Sequence, residues 1–507
     1  MCGIVAEHGG HDAAALERML ERLAHRGPDD DGCVGVGDAW LGHRRLSIVD
    51  VDGGRQPLVT AGGELWLVGN GEVYNHEALR AELGDRRLET DSDNEVALHL
   101  VDACGPAALA ELNGMFAFVI AGEDGRFVAA RDPVGIKPLY WAQRDGVTRF
   151  ASEMHVFDED WQPLVEPFPP GCFWTPGGGL ERFAAAVPED IEPLPGPATP
   201  GAEPPAEILR ATRDALVHAV ERQLMGDVPV GVFLSGGLDS SLVAAIAAPW
   251  LRARGRRLET FAVGTAGSPD LEAARRVAEH VGAQHREATY TAADALDALP
   301  TVVRAIESFD PGLVRSAVPN YLLARFTAEH VKVVLTGEGA DELFAGYAYM
   351  SEIEDADELH DELVRTVRGL HNLNLQRCDR VTMAHGLEAR VPFLDREVIE
   401  WALRLPAGYK LAGPGQPEKR LLRMAFAGWL PDDLLWRDKA EFGDGSGARD
   451  VLSEAVAADV SDADFAAERD AVTPPLRTKE ELAYYRIFRD HLVRVRAEVA
   501  ISRFATA

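Results

Sequence analysis

The chain has 507 residues and a formal net charge of −31, which predicts two or more domains with separate cores and argues against a nucleic-acid or anionic-membrane surface. No apolar run reaches transmembrane length, and the opening MCGIVAEHGG carries no basic segment or signal-peptide core. Cys2, Cys33, Cys104, Cys172 and Cys378 are odd in number and scattered, so they fit a reducing cytoplasm and not a disulfide framework or metal cluster.

Cys2 follows the initiator Met, and a small second residue permits Met removal. The residue then carries a thiol and an α-amino group, and the amine can act as base for its own nucleophile. The apolar start of a strand follows at Ile4 and Val5. Polar blocks come next: LAHRGPDDDG from Leu23, LGHRRLSIVDV from Leu41, VGNGEVYNH from Val68 and ETDSDNE from Glu89. Met115 to Ile120 reads as an apolar strand. In RDPVGIKPLY, from Arg131 to Tyr140, Asp132 and Lys137 suit a structural role as well as a functional one. Proline, glycine and acids from Pro188 to Pro205 make a linker composition, with a boundary near residue 195. A helix is predicted from about Pro205 to Met225.

An apolar run, Val228 to Phe233, then leads into LSGGLDSS, from Leu234 to Ser241, and on to an alanine-rich run, Leu242 to Ala248. This is a strand–loop–helix unit. Gly236 and Gly237 let the backbone approach a ligand. Ser235, Ser240 and Ser241 add hydroxyls, and the helix N-terminus adds free N–H groups. The loop is built for an anion but lacks the Gly-Lys-Ser/Thr ending of a Walker A loop. Asp239 would repel that anion unless it holds a cation, and Mg²⁺ bridging Asp239 to a polyphosphate resolves the conflict.

LETFAVG, from Leu258 to Gly264, is a second strand. A helix follows over Ser268 to His280, opened by Pro269 and Asp270, and Val331 to Leu335 is a third strand before TGEGADELFAGY. Strands alternating with helices predict a parallel doubly wound sheet whose ligands sit beyond the strands' carboxyl ends. Leu234, Val263, Thr336 and Gly337 fall there, placed to read adenine and ribose. Glu338, Asp341 and Glu342 cluster beside them as metal ligands or a functional base. EARVPFLD begins at Glu388, and RDKAEFGDG begins at Arg437. Its Lys439 is a candidate for stabilising charge on a leaving pyrophosphate or a tetrahedral adduct.

MCGI and the four polar blocks resemble the signatures of class II glutamine amidotransferases, which are N-terminal nucleophile hydrolases. SGGLDSS resembles the pyrophosphate loop of the ATP pyrophosphatase superfamily. Together they resemble the class B, glutamine-hydrolysing asparagine synthetases; LMGDVPVGVFLSGGLDSS, FAVGTAGSPDL, VLTGEGADELFAGY and LEARVPFLD all match. The resemblance implies an αββα sandwich over 2–190 and a doubly wound ATP-pyrophosphatase domain over 205–507. It implies Cys2 as nucleophile, with the Asn70 amide and the Gly71 N–H meeting the oxyanion. Arg45 would hold glutamine's carboxylate, Asp93 and Glu72 its amino end, and Leu46, Ser47, Ile48 and Val49 would line the pocket. Leu234, Ser235, Gly236, Gly237, Asp239, Ser240, Val263, Thr336 and Gly337 would bind ATP, and Asp239 and Asp341 would bind Mg²⁺. Glu338, Asp341 and Arg315 would meet the acceptor carboxylate. Ammonia released at Cys2 would pass through a tunnel to an acyl-adenylate. A cytoplasmic homodimer is implied, without nucleic-acid or membrane partners.

The β-lactam synthetases share both halves but lack the cysteine and carry tyrosine where this chain has Glu338. A non-catalytic scaffold would predict erosion of Cys2, Asp239 or Glu338, and all three are present. One departure concerns the acceptor: Gly312 and Leu313 stand where the family has a Thr-Thr pair ahead of Arg315. Aspartate and a larger or less polar carboxylate therefore both remain open as acceptors.

Overall fold

The computed structural model describes residues 2–10, 12–84, 88–189, 191–438 and 449–501. Among them the strands form three sheets. The first is antiparallel, in the order Glu166–Pro167, Tyr140–Arg144, Val147–Ala151, Gly3–His8, Ala39–Arg45, Asp30–Val36. The second is also antiparallel, in the order Gly179–Arg182, Cys172–Thr175, Phe127–Arg131, Gly114–Gly122, Leu65–Val73, Leu58–Val59.

Strand alternation stacks these two sheets. Ile4, Ala6, Val68, Ala117 and Val119 face inward into a shared core. The alternate positions face out: Leu65, Leu67, Phe116 and Phe118 pack with Val96 and Leu98 of the Glu95–Cys104 helix. Val5 packs with Leu16 and Met19 of the Ala13–Glu21 helix. A period of two in the strands, met by amphipathic helices outside, produces the αββα sandwich.

The third sheet is parallel, in the order Gln284–Thr289, Glu259–Gly264, Val230–Phe233, Val333–Leu335, Glu388–Arg390. Two of its strands start later than their apolar runs. Before Val230, the Asp227 N–H is drawn off to the Ile48 carbonyl of the sandwich at 2.9 Å. Before Val333, the Val331 N–H donates to Thr327 and closes the preceding helix. The Leu238–Ala253 helix takes in Asp239, Ser240 and Ser241 as its first turn, with Gly237 as N-cap.

Two glycines are required by space. At Gly71 a Cβ would lie 1.9 Å from the Met115 carbonyl oxygen across the strand pair. At Gly236 (φ +75°) it would lie 2.7 Å from Ala273 and from the Ala274 nitrogen.

Candidate active site

Cys2 sits where the Gly3–His8 strand begins, and it is buried. Its backbone N–H donates to Asn70 Oδ1 at 3.0 Å. That bond fixes the Asn70 amide and leaves its Nδ2 buried with no partner among the described residues. An unsatisfied buried donor costs ~1–3 kcal/mol unless a ligand meets it. Burial pushes the Cys2 thiol above the ordinary cysteine range, opposed by the Leu46 N–H and the Arg45 charge.

A small cavity joins Cys2 to Arg45, Leu46, Ile48, Val49, Gly71, Glu72 and Asp93. Ser47 is not on its wall; its N–H is held by Asp29 at 2.7 Å. The Arg45 guanidinium is aimed by backbone: Nη1 donates to Val51 O at 3.0 Å and Nη2 to Asp50 O at 2.7 Å. Asp93 accepts from the Val73 N–H at 2.6 Å and from the Asn94 amide at 3.1 Å. Glu72 is held well above the usual carboxylate range by burial, then by the charge of Glu388.

Glu388 belongs to the third sheet, and so does Arg390, which bonds Glu388 at 2.6 Å and lies 3.4 Å from Glu72. The EARVPFLD block therefore backs the Cys2 cavity from the other half of the chain. Arg26, from LAHRGPDDDG, makes a second bridge. Its Nε donates to the Cys2 carbonyl at 3.0 Å, and its Nη1 meets Glu153 at 2.7 Å and Asp379 at 2.9 Å. Asp379 lies on the Asn374–Met383 helix, which reasoning from motifs did not single out. Glu153, His155 and Glu307 gather nearby, but Arg380 bridges the two carboxylates at 2.7 and 3.0 Å. That cluster is an ion-pair network between the halves. Asp132 is structural: its carboxylate accepts the N–H groups of Phe116, Val134, Gly135, Ile136 and Lys137.

The second cavity, about 620 Å³, opens at the carboxyl end of the parallel sheet. Leu234, Ser235, Gly236, Gly237, Asp239, Ser240, Val263, Thr336, Gly337, Glu338, Asp341 and Arg315 all reach it. The loop is pre-shaped by its own serines: Ser240 Oγ accepts the Ser235 N–H at 3.2 Å, and Ser241 Oγ donates to Gly237 O at 2.6 Å. Lys419 was missed in the sequence because PEKR follows no periodic or motif pattern. It is buried, and its Nζ lies 2.5 Å from Asp239 Oδ2 and 2.7 Å from Asp341 Oδ1. Two carboxylates converging on one cation beside an anion loop fit a hard divalent ion taken with a polyphosphate.

Glu338 is paired with Arg377 at 2.5 Å, and Arg377 also donates to Ser316 at 2.8 Å. Burial, then the charge of Asp341, lifts Glu342 to about 7. Tyr347 donates to it at 2.6 Å. Gly312 and Leu313 line the same cavity. Arg315 is held along one edge by the buried Glu480, through Nε and Nη2. Lys439 lies outside the described residues.

A buried thiol beside an unmet amide donor, and a serine-glycine loop opening on a large cavity, stand in one chain, the arrangement of a two-site amidotransferase. The sequence matches the family described as Glutamine amidotransferase domain over residues 1–166, and that described as Asparagine synthase over 211–354 and 351–502. It is 40% identical over 476 residues to asparagine synthetase [glutamine-hydrolyzing] 3 of Arabidopsis thaliana, covering 88% of this chain and 79% of that one. It is 39% identical over 491 residues to asparagine synthetase B of Escherichia coli K12, covering 94% and 86%. A probable asparagine synthetase of Dictyostelium discoideum is 37% identical, with 96% and 93% covered. The chain belongs to the glutamine-hydrolysing asparagine synthetase family.

Proposed function

We propose that the protein is a glutamine-dependent, AMP-forming carboxamide synthetase. It converts ATP, aspartate, glutamine and water into AMP, pyrophosphate, asparagine and glutamate. The observation that carries this reading is that one chain holds both Cys2, beside the unmet Asn70 Nδ2, and the Leu234–Ser240 loop, with the buried Arg26–Asp379 pair tying the Cys2 site to the other half.

In the glutaminase domain (2–190), the Cys2 sulfur attacks the side-chain carbonyl of glutamine. Asn70 Nδ2 and the Gly71 N–H stabilise the oxyanion. Arg45 takes glutamine's carboxylate, and Asp93 with Glu72 takes its amino end. Ammonia leaves, and water resolves the γ-glutamyl thioester to glutamate. In the synthetase domain (205–507), the acceptor carboxylate attacks the α-phosphorus of ATP and displaces pyrophosphate. Ammonia then attacks the acyl carbon and AMP leaves. Asp239 and Asp341 would hold Mg²⁺, and that ion would supply charge neutralisation to the leaving pyrophosphate. Glu338, aligned by Arg377, accepts the proton that ammonia loses. Arg315 meets the acceptor's second anionic group, and Lys439 stabilises the leaving charge. We further propose a cytoplasmic homodimer with an internal ammonia path.

A second acceptor is favoured by one observation: Gly312 and the buried Leu313 bring no hydroxyl to the cavity wall ahead of Arg315, and Leu313 adds apolar surface. That surface suits a larger or less polar carboxylate. Acceptor-dependent exchange of labelled pyrophosphate into ATP, run across a panel of carboxylic acids, tests both readings. Exchange with aspartate supports the first, and exchange with another acid but not aspartate supports the second. Absence of exchange with every acid would overturn the synthetase reading.

A further inference from the structure

Arg315 enters the synthetase cavity from the Pro311–Ala328 helix, and a carboxylate grips it from one side. Nε donates to Glu480 Oε1 at 2.8 Å and Nη2 to Oε2 at 2.5 Å. This fork uses one edge of the guanidinium. Among the described residues, Nη1 makes no hydrogen bond.

Glu480 lies near the start of the Lys479–His491 helix and is 3% exposed. Each of its oxygens has one further donor: Tyr484 Oη at 2.9 Å to Oε1 and Ser453 Oγ at 3.1 Å to Oε2. Burial, then the charge of Glu480, holds the Tyr484 hydroxyl above its ordinary range, so it remains a donor. Glu480 thus has two jobs' worth of partners and little freedom to turn. The residues around it, Arg477, Thr478 and Glu481, line the same cavity. A bidentate guanidinium–carboxylate pair fixes the plane of the arginine as well as its position.

We propose that Glu480 is the positioning residue of the acceptor site. It locks Arg315 side-on, so that the Nη1 edge is presented to the non-reacting anionic group of the acceptor. The pair is close to neutral, so the site recognises that group mainly by directed hydrogen bonds and less by net charge. The Lys479–His491 helix, remote in sequence from the pyrophosphate loop, thereby sets acceptor affinity. The inference rests on the proposed role of Arg315.

The test measures pyrophosphate release with L-aspartate as acceptor, ammonium chloride as nitrogen source and saturating ATP. Glutamine hydrolysis in the same preparations reports that the fold is intact. In Glu480→Gln, the acceptor KM should rise about tenfold, the scale of one charge-assisted hydrogen bond lost, while kcat stays within about threefold and glutaminase activity holds. Glu480→Asp should restore part of the affinity. Tyr484→Phe removes one of the donors that fix Glu480 and keeps the proposal testable if Glu480→Gln does not fold; it should raise the same KM by a smaller factor. Arg315→Lys separates the two levels. If Arg315→Lys leaves the acceptor KM unchanged, the role of Arg315 itself is wrong. If it raises KM while Glu480→Gln and Tyr484→Phe do not, or if Glu480→Gln lowers KM, the positioning role of Glu480 is overturned.

Discussion

Arg26 and Asp379 are 353 residues apart in sequence and form a fully buried two-point ion pair, at 2.9 and 3.2 Å. The same guanidinium holds the carbonyl of the candidate nucleophile at 3.0 Å. The helix that carries Asp379 also carries Arg377, which grips Glu338 at the other site. The two centres are therefore joined by a short chain of charged contacts on one rigid element.

This strut predicts coupling. Asp379→Asn leaves Arg26 with Glu153 but weakens its hold across the interface. Glutamine hydrolysis should continue, while the amide product formed per glutamate released should fall. The thermal transition should also move down, since removing one partner of a buried pair costs up to ~3–5 kcal/mol. A product-to-glutamate ratio equal to that of the parent enzyme would reduce the pair to a structural contact.

Asp239 and Lys419 predict a separable loss at the nucleotide site. Asp239→Asn should lower AMP formation by roughly 100-fold, the scale of losing one preorganised electrostatic contact at a reacting phosphate. Glutamine hydrolysis should persist. Lys419→Met leaves Asp239 and Asp341 without the cation between them and should give the same separation. An unchanged rate of AMP formation in both variants would make this cluster structural.

The acceptor wall predicts a gain. Gly312→Thr with Leu313→Thr restores two hydroxyls where the cavity is apolar. If aspartate is used weakly by the parent, its KM should fall about tenfold in the double variant, since each buried polar partner is worth ~1–3 kcal/mol. Comparing aspartate saturation curves for the two proteins checks this.

Lys410 predicts a pH-dependent stability. Burial lowers it from about 10.5 to about 7, and its Nζ donates to Ala402 O at 3.0 Å. Between those values the unfolded chain holds a proton that the native chain has lost. Native stability therefore rises with pH across that window. Lys410→Met removes the burden, and the Leu405 N–H still satisfies the Ala402 carbonyl. The variant should melt at least about 2 °C higher near pH 7, the shift expected for ~1 kcal/mol. The advantage should close as pH approaches 10.5. Melting curves at several pH values measure it.

What could be read in the sequence was local. Strand, glycine loop and helix are contiguous at Leu234 to Ser241, so the anion loop was visible before any fold was known. Cys2, Asn70, Gly71 and Asp93 lie in short polar blocks whose order carried the expectation of a glutamine site. The contacts that join the sites are not contiguous. Arg26 meets Asp379, Glu72 meets Arg390 and Arg315 meets Glu480, each across more than 100 residues. None has a spacing that periodicity can register. Lys419 was hidden for the same reason: its partners, Asp239 and Asp341, come from two different strand ends.

In the proposed function, one chain holds two separable chemistries joined by ammonia. Cys2→Ala tests it most directly, assayed for amide product with glutamine and, separately, with ammonium chloride. The variant should release no glutamate and form no product from glutamine, with ammonium-dependent product formation close to that of the parent enzyme. Continued hydrolysis of glutamine by Cys2→Ala, or loss of ammonium-dependent synthesis in a folded variant, would contradict it.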